Sequence, residues 1–520
     1  MSGTPMGNVA ELAPDDKYPG IYLKSTVENA SDEGTHYLLV VGAVAADDSG
    51  ALTPDSDVVD VITDADALYY AGANSEGYRM LMRALDVGGV RVKYAAAAIT
   101  GGAQAEATIT VDVTATLTTT GSVTLRVGGR TVGPIGISLS DTPQTIANAI
   151  AAAINADLRM PVSAAVASGS GTTYVVTLTA GSDGARGNSF IVWKDLRLTP
   201  GEVTVTLAGG SSVTSGGVYF HNGAGTESVA SLITTLQSEE YFTCAIAQRD
   251  ATNLGRWETA TNTKLGALVG LLENFVTATV GTLSAAGTLA QTNLNHSSFE
   301  MLWMEESETP GEELAAMWAA YRHQLEIQHP NQRYDLVVMN DVQPQQAKSK
   351  QPSRSTQVAA LNYGLTPIGT KNNKAVLARA VTTRTQTELG GADNGTVDVA
   401  TWRVALEYRR RLKAMLEEHL QIHQYVVDDP APGNEPEIPS GTTYPSNIVT
   451  ATLKLNFQLQ NDSWLTSVGL PANRPRCALH PTSATPRPIL YAPIVPLPLL
   501  HQIAGTVALR KFQATVAAAA

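Results

Sequence analysis

Hydrophobic and polar positions alternate in different ways along this chain, and each change of pattern predicts a different kind of structure. From Tyr37 the run YLLVVGAVA is continuously apolar, which is typical of a strand covered on both faces of its sheet. SEGYRMLMRALDVGG has the spacing of an amphipathic helix that ends at glycine, and VRVKYAAAA predicts a second strand. The pattern up to about residue 99 therefore predicts an α/β domain.

A β-rich segment follows, from about residue 100 to residue 217. ATITVDVTA, SVTLRVGG, YVVTLTAG and EVTVTLAGG alternate with a period of two, as half-buried strands do. One helix interrupts them, and it is predicted to begin at the capping residue Thr142 with Pro143 in its first turn. Its apolar stripe is predicted to comprise Ile146, Ile150, Ile154 and Leu158. This segment is predicted to be a separate domain inserted into a surface loop of the α/β domain.

The α/β pattern resumes after Phe220. HNGAGTESVASLITTLQSEEY predicts a turn and a helix, and strands are predicted at FTCAIAQ, FVTATVG, FEMLWME and YDLVVMN. Thr309 and Glu312 have the spacing of a capping box before a helix. The apolar face predicted for that helix comprises Leu314, Met317, Trp318, Tyr321 and Leu325.

The last third of the chain has a mixed pattern. AVLARAVTTRTQ predicts a strand, and a long helix is predicted from Asp398 to about His423. IVTATLKLNFQLQ is compatible with either a helix or a strand. Each chain end carries a single predicted strand with no hairpin partner beside it. Such strands have unpaired N–H and C=O groups that need a partner from elsewhere.

Composition narrows the range of functions. The chain of 520 residues has a formal net charge of −13, which argues against nonspecific binding to nucleic acid and against attraction to an anionic membrane surface. Its two cysteines, Cys244 and Cys477, form neither a disulfide framework nor a zinc pattern. The sequence shows no signal peptide and no transmembrane stretch, so we expect a soluble protein made in the cytoplasm, with no membrane anchoring.

The motifs of common catalytic sites are absent from the sequence, and three weaker signals remain. Asn222 to Gly225 could form an anion cradle before a helix, although a tight turn is the better interpretation. His419 and His423 have metal-ligand spacing, but without a third ligand they are better explained as histidines at a helix C-terminus. A basic block in this acidic chain predicts a partner-binding surface; it comprises Arg409, Arg410, Arg411 and Lys413.

Four segments together resemble the contractile tail sheath proteins of bacteriophages, specifically the Mu-like branch. The first is YPGIYLKSTV. The second combines SVTLRVGGRTVG, DTPQTIANAIAAAINADLRMPVSAAVA and VVTLTAGSDGARGN. The third is GAGTESVASLITTL with YFTCAIAQRDATNL, and the fourth is RAVTTRTQTELGGADNGTVDVATWRVALEYRRRL. The resemblance spans nearly the whole chain and is weakest between residues 423 and 486.

The resemblance implies a structural, non-enzymatic subunit without cofactors. Copies would polymerise as hexameric rings or a helical sheath around a tail tube protein. Contraction would then drive the tube through the host envelope. Further partners implied are baseplate and tail terminator proteins, with no nucleic acid. The expected location is the virion tail, after assembly in the host cytoplasm. Two alternatives stay open: the sheath of a phage-derived injection particle, and a hydrolase with a β-sandwich binding module.

The resemblance also divides the chain and assigns its contact residues. We expect an N-terminal arm at 1–36, an α/β core at 37–99 plus 218–370, and an outward-facing β-rich insert at 100–217. A C-terminal sheath domain with mixed helices and strands (371–504) and an arm (505–520) would follow. The arm strands expected to pair with neighbouring subunits include Ile21, Tyr22, Leu23, Val507, Leu509 and Lys511. The basic block is expected to face the tube.

Overall fold

A computed structural model describes residues 36–47, 49–199, 201–265, 271–387, 390–393, 395–423, 425–429, 441–479 and 488–497. The strands are β1 Tyr37–Gly42, β2 Val59–Val61, β3 Arg91–Ala96, β4 Ala98–Val113, β5 Gly121–Val127, β6 Arg130–Ile137, β7 Val162–Ser170, β8 Thr173–Asp183, β9 Ile191–Arg197, β10 Val203–Ala208, β11 Val218–Tyr219, β12 Ala224–Ser228, β13 Thr243–Ile246, β14 Phe275–Thr279, β15 Phe299–Trp303, β16 Asp335–Val338, β17 Leu365–Lys371, β18 Lys374–Arg379, β19 Tyr425–Val426, β20 Thr442–Thr443, β21 Arg476–Leu479 and β22 Pro488–Tyr491.

The α-helices are α1 Asp64–Ala71, α2 Glu76–Val87, α3 Pro143–Asn155, α4 Ala230–Thr235, α5 Ala251–Leu265, α6 Leu283–Thr288, α7 Gly311–Gln328, α8 Arg354–Asn362, α9 Val399–Ile422 and α10 Pro445–Asn461. A 3₁₀ helix (Ala185–Ser189), a π-helix (Leu289–Leu294) and a second 3₁₀ helix (Pro471–Asn473) complete the described helical segments. The chain is thus α/β, as predicted, and it divides after Arg410 into two compact units.

A nine-stranded sheet organises the first unit. Its strand order is β16-β18-β17-β15-β14-β13-β1-β3-β2. The six consecutive strands from β17 to β3 in this order run parallel to one another. Helices cover both faces. One face packs against α2 and α7, and the other against α4, α5 and α6. The predicted division at residue 370 falls inside the β17–β18 hairpin of this sheet, because β18 continues it to Arg379.

Strand β1 shows why its sequence is apolar throughout. Leu38 and Val40 lie in the core of one face, whereas Leu39 and Val41 lie in the core of the other. Helix α2 approaches this region so closely that a Cβ atom added to Gly77 would lie 2.1 Å from the hydroxyl oxygen of the buried Tyr94. Glycine at this position therefore sets the distance between the helix and the sheet.

The predicted β-rich insert is a second folded body within the first unit. It has two sheets, ordered β10-β4-β8-β7 and β11-β9-β5-β6, with α3 packed on them. Its core is a separate hydrophobic cluster that includes Ile109, Val176 and Phe220. Strand β4 begins beside β12, with Ala103 opposite Ala224, and then continues into the insert beside β8. The insert is therefore joined to the α/β sheet by a two-stranded ribbon.

Helix α3 confirms the predicted capping arrangement. The Thr142 side chain accepts a hydrogen bond from Thr145 N, and Pro143 occupies the first turn. Ile146, Ile150 and Ile154 are buried as predicted. Leu158 is not part of this stripe, because the helix ends at Asn155 and the Leu158 side chain is 46% exposed.

The described residues from Arg411 onwards belong to the second unit. The segment that was open between helix and strand is the helix α10, which begins with a proline in its first turn and buries Ile448, Thr452 and Leu459. Two small sheets accompany it: β19 pairs in parallel with β20, and β21 pairs antiparallel with β22. The alternating pattern of the α10 sequence was misleading, because the buried face of this helix includes the polar residues Thr452 and Asn456.

Candidate functional site

A cluster of buried charges joins the insert to the α/β sheet, and Arg186 lies at its centre. Arg186 belongs to the 3₁₀ helix of the insert. Its Nε and Nη2 atoms donate to the two carboxylate oxygens of Glu76 at the start of α2, both at 2.7 Å. The same guanidinium contacts Glu227 in β12. One arginine of the insert thus ties together a helix and a strand of the other body, with bidentate geometry that holds their relative positions.

Further ion pairs extend this cluster from α2 to the start of α7. Arg79, one turn after Glu76, lies 2.6 Å from Glu313 at the start of α7, and Arg83 Nε lies 2.9 Å from the same carboxylate. Arg249 donates to the Arg186 backbone oxygen at 3.1 Å and also lies 3.5 Å from Glu312. We call these eight residues the ionic junction: Glu76, Arg79, Arg83, Arg186, Glu227, Arg249, Glu312 and Glu313.

The environment of the ionic junction determines its protonation. Burial alone would raise the pKa of Glu76, but Arg186 outweighs that effect and the pKa is lowered. At Glu313, burial is likewise outweighed by Arg83 and Arg79, so its pKa is also lowered. For Glu312 the burial effect dominates, and the pKa is raised despite Arg249. Four arginines face four glutamates, so the formal charges of the cluster sum to zero.

Backbone contacts bring the two bodies still closer. Ala46 N donates to Gly181 O at 3.0 Å, and Glu76 N donates to the Ser182 hydroxyl at 2.9 Å. A Cβ atom on Gly181 would lie 2.2 Å from Asn74 O, so a larger residue would separate the strand from the loop. These contacts, together with the ionic junction, make the insert and the sheet one mechanical body. Every carboxylate of the ionic junction is paired with an arginine, so the arrangement connects the insert to the sheet and leaves no carboxylate there unpaired.

The basic block predicted to bind a partner makes contacts within its own chain. Arg409 donates to Leu265 O at 2.6 Å, and Arg410 pairs with Glu407 at 2.7 Å. In the second unit, the Arg411 guanidinium lies 4.1 Å from the centre of the Trp464 ring. Lys413 is about half exposed and its nearest ion-pair partner, Glu417, is 4.0 Å away. The four side chains of the basic block thus have four different sets of contacts.

The remaining predicted sites have different outcomes. Ile21, Tyr22, Leu23, Val507, Leu509 and Lys511 lie outside the described residues. His419 Nε2 lies 2.8 Å from the Thr443 hydroxyl. In the described part of the chain, no group of three or more His, Cys, Asp or Glu side chains is placed to hold a metal ion. No described helix is long and apolar enough to span a bilayer.

The capping box predicted for α7 was wrong, and the less favoured anion cradle at Asn222 to Gly225 does not precede a helix, both for the same reason. Asn222 to Gly225 leads into the strand β12 and not into a helix, and Asn188 pairs with both backbone groups of Gly223. Helix α7 has no capping box. Glu312 instead contacts arginines of the junction, and the Thr309 hydroxyl accepts a hydrogen bond from Gln343 N. In each case tertiary contacts use the groups that local spacing had assigned to a cap or a cradle.

The ionic junction was not predicted from the sequence. A signal was present in α2, where Arg79 and Arg83 are four residues apart in a helix that is otherwise apolar on several sides. In a chain with only 16% charged residues, arginines beside Met80, Leu81 and Met82 indicate buried ion pairs rather than a solvated face. Their partners could not be named, because Glu313 lies 230 positions further along the chain.

Comparison with known proteins gives likeness in structure only. Two solved structures align over almost the entire chain. One is a sheath tail protein from Desulfitobacterium hafniense, with 12% identity, a TM-score of 0.45, and coverage of 92% of this chain and 100% of that one. The other is the contracted sheath complex of an extracellular contractile injection system, PVC, with 9% identity, a TM-score of 0.46, and coverage of 95% and 98%.

Both of these neighbours are sheath proteins. With TM-scores below 0.5, neither likeness carries a conclusion about this chain. No protein-family model and no curated protein matches the sequence.

Proposed function

We propose that this chain is the structural subunit of a contractile tail sheath of a bacteriophage, which polymerises around a tail tube and contracts to drive the tube through a cell envelope. The observation that carries the proposal is the insert. The segment with the most specific sequence resemblance, Ser122 to Asn188, folds within a body that has its own core and interrupts an α/β sheet. The alternation of apolar and polar residues had predicted such an insert, and sheath subunits are the class of protein that the sequence of this segment resembles.

The ionic junction supports a mechanical role. A sheath subunit must keep its internal shape while it moves relative to its neighbours. Removing one partner of a buried ion pair costs roughly 3–5 kcal/mol, because the other charge is left buried without compensation. The ion pairs of the junction therefore oppose displacement of the insert from the sheet. Arg79 is 1% exposed and Glu313 is fully buried, which means that solvent does not screen their attraction.

The second unit supports assembly through strand exchange. Each of its two described sheets has only two strands, and such sheets are marginal in isolation. Strands added from other copies would complete them by β-augmentation, with main-chain hydrogen bonds supplying affinity. We assign this role to the two chain ends that include Ile21 and Leu23, and Val507 and Leu509.

Electron microscopy of the purified protein tests the proposal. We expect tubes or stacked rings, which distinguish a sheath from a monomeric hydrolase with a binding module. A serine-reactive probe provides the complementary measurement, since a sheath subunit should remain unlabelled. A protein that stays monomeric under all assembly conditions and reacts with the probe would contradict the proposal.

We also propose that the basic block faces the tail tube, and Lys413 offers the cleanest test. Reversing Arg410 or Arg411 would also break the Glu407 pair or the Trp464 contact. Lys413→Glu removes only a weak exposed pair, worth about 0–1 kcal/mol. We expect sheaths with lower tube occupancy in micrographs, whereas the control Lys454→Glu on α10 should keep full occupancy. Equal tube occupancy in the two variants would show that the basic block does not contact the tube.

A further inference from the structure

The two edges of the nine-stranded sheet expose apolar side chains. Among the described strands, β16 pairs only with β18, and β2 pairs only with β3. At the β16 edge Leu336 is 60% exposed and Val338 is 43% exposed; directly after β2, Ile62 is 80% exposed. Leu336 also has a φ of 56°, a costly conformation for a bulky residue that persists where surroundings or function require it.

A pair of lysines near the β16 edge lacks an anionic partner. Lys371 and Lys374 face each other directly across the β17–β18 hairpin, and both are exposed. Like charges in directly opposed positions destabilise a pair of strands. Neither lysine makes an ion pair with any of the described residues. Lys374 lies beside β16, because Met339 N, just after that strand, donates to Ala375 O at 3.0 Å. The tip of the hairpin therefore favours an acidic surface from outside the chain.

The opposite edge of the same sheet is acidic. Asp57 lies two residues before β2 and Asp60 is the middle residue of that strand, and both are exposed. Asp60 has only a distant counter-ion, with Lys93 Nζ at 3.9 Å, and Asp57 has no ion pair within the described part of the chain. Both edges thus expose apolar side chains, and the aspartates near the β2 edge are complementary in charge to the lysines near the β16 edge.

The strand directions of the two edges are also compatible. Two antiparallel steps, from β17 to β18 and from β18 to β16, make β16 parallel to the central strands. One antiparallel step makes β2 opposite to them. If a second copy continued the sheet in the same orientation, its β16 would therefore run antiparallel to β2 of the first copy. Antiparallel pairing is slightly more stable per residue than parallel pairing.

We propose that the β16 edge of one copy, with Lys371 and Lys374, docks head-to-tail against the β2 edge of the next copy, with Asp57 and Asp60. The contact is heterologous, so repetition gives a ring or a helical array instead of a closed dimer. This inference rests on the proposed sheath function and identifies a lateral contact of the core sheet that is separate from the terminal arms. Because the edges are short, the contact is weak alone and acts when other contacts have raised the local concentration.

Charge exchange tests this interface. We expect Asp57→Lys/Asp60→Lys to reduce assembly severalfold at low salt, and Lys371→Glu/Lys374→Glu to do the same. A chain that carries all four changes should recover assembly, because the attraction is then restored with reversed signs. The matched single reversals Glu418→Lys and Lys454→Glu, at exposed positions on α9 and α10, should assemble like the wild type. Assembly is measured by light scattering and confirmed by microscopy.

The outcomes separate this inference from the proposed function. If the wild type and the two controls do not assemble, the sheath proposal fails. If they assemble and both edge variants assemble equally well, only the edge contact is overturned. Additive losses in the fourfold variant would also overturn it, since a merely structural effect is not rescued by a second charge reversal.

A cysteine cross-link determines the geometry. In a Cys477→Ser background, which leaves the buried Cys244 as the remaining native thiol, a chain carrying both Asp60→Cys and Lys374→Cys should form a ladder of disulfide-linked oligomers on oxidation. The two single-cysteine chains should form disulfide-linked dimers when mixed, and neither should form such dimers on its own. Dimers from Lys374→Cys alone would indicate a two-fold contact and contradict head-to-tail docking. A disulfide within one chain, or no cross-link at either edge because the chain ends cover them, would contradict it as well.

Discussion

At the scale of single residues, Arg186 is the group on which the ionic junction depends most. Arg186→Met leaves Glu76 and Glu227 buried without their main counter-ion, since the side chains of these glutamates are 5% and 7% exposed. We expect a loss of roughly 3–5 kcal/mol in the free energy of unfolding, measured by urea denaturation. Methionine retains most of the side-chain volume, so the loss reports charge rather than packing.

A control lies in the same insert. Arg197 pairs with Asp195 at 3.0 Å, but its side chain is 80% exposed. Arg197→Met should therefore change the free energy of unfolding by less than about 1 kcal/mol. Similar losses from the two substitutions would show that the buried pairs contribute no more than surface pairs do.

A second residue-scale prediction concerns Glu273. Burial raises the pKa of this carboxyl to about 7, although Lys264 Nζ lies only 2.6 Å away and opposes the shift. In the window from about pH 4.5 to 7 the folded chain therefore binds this proton and the unfolded chain releases it. The resulting stability is present below that window and is lost as the pH rises through it, by up to ~3 kcal/mol.

Glu273→Gln should remove this loss. Other groups titrate in the same range: burial lowers the pKa of His296 to about 4 and of His323 to about 3, and these histidines make stability rise with pH. The quantity to measure is therefore the difference between wild type and variant in unfolding free energy, across several pH values in the window. A difference that stays constant with pH would rule out Glu273 as a titrating group.

At the scale of elements, the hydrophobic pattern of the sequence predicted the helices and strands that pack against many apolar side chains. The continuous run of β1 predicted burial on two faces, and the capping residues of α3 predicted its start. The pattern did not predict polar side chains on buried faces. In α9 the buried positions include Arg403 and Glu407, which a hydrophobic stripe excludes, although the predicted range of the helix was close to that observed.

The junction between elements was beyond prediction because it is not periodic. Glu76, Arg186 and Glu227 come from three segments separated by 110 and 41 positions, so no local spacing relates them. Likewise, the sequence indicated that an insert exists but not that it is fixed to the sheet. A separate core alone would make an insert removable, whereas the buried charges make removal of this insert costly.

Excision of the insert tests this difference. The ribbon of β4 and β12 permits a clean cut: residues 104–223 are replaced by an Asn-Gly turn that joins Ala103 to Ala224, which face each other in the ribbon. We expect this chain to be destabilised and poorly soluble, because Glu76 and Glu227 lose Arg186. Adding Glu76→Gln and Glu227→Gln should restore a soluble, folded chain, measured by size-exclusion chromatography and thermal unfolding.

The repaired chain should also retain assembly, in keeping with an outward-facing insert. If both excised chains were equally stable, the ionic junction would not hold the insert in place. If the repaired chain were folded yet unable to polymerise, the insert would belong to the assembly interface and would not be a decoration.

At the scale of the whole molecule, the proposed function requires bodies that stay rigid and connections that survive large movements. In the first unit, buried ion pairs and backbone hydrogen bonds attach the insert to the α/β sheet. The connections are assigned to the two chain ends, whose strands would add to sheets of neighbouring copies. With about four or five main-chain hydrogen bonds per arm, each worth about 0.5–1.5 kcal/mol net, an arm would contribute roughly 2–7 kcal/mol before apolar burial. Such a joint can persist while the bodies rotate.

Removal of either arm should therefore abolish assembly and leave the rest of the chain folded. We expect chains lacking residues 1–26 or 505–520 to be soluble monomers in sedimentation velocity, with the thermal unfolding midpoint of a wild-type monomer. A matched control removes only residues 517–520, the terminal alanines that follow the predicted strand, and should assemble normally. If a chain without an arm still formed full-length sheaths, strand addition by that arm could not be what connects the subunits during contraction.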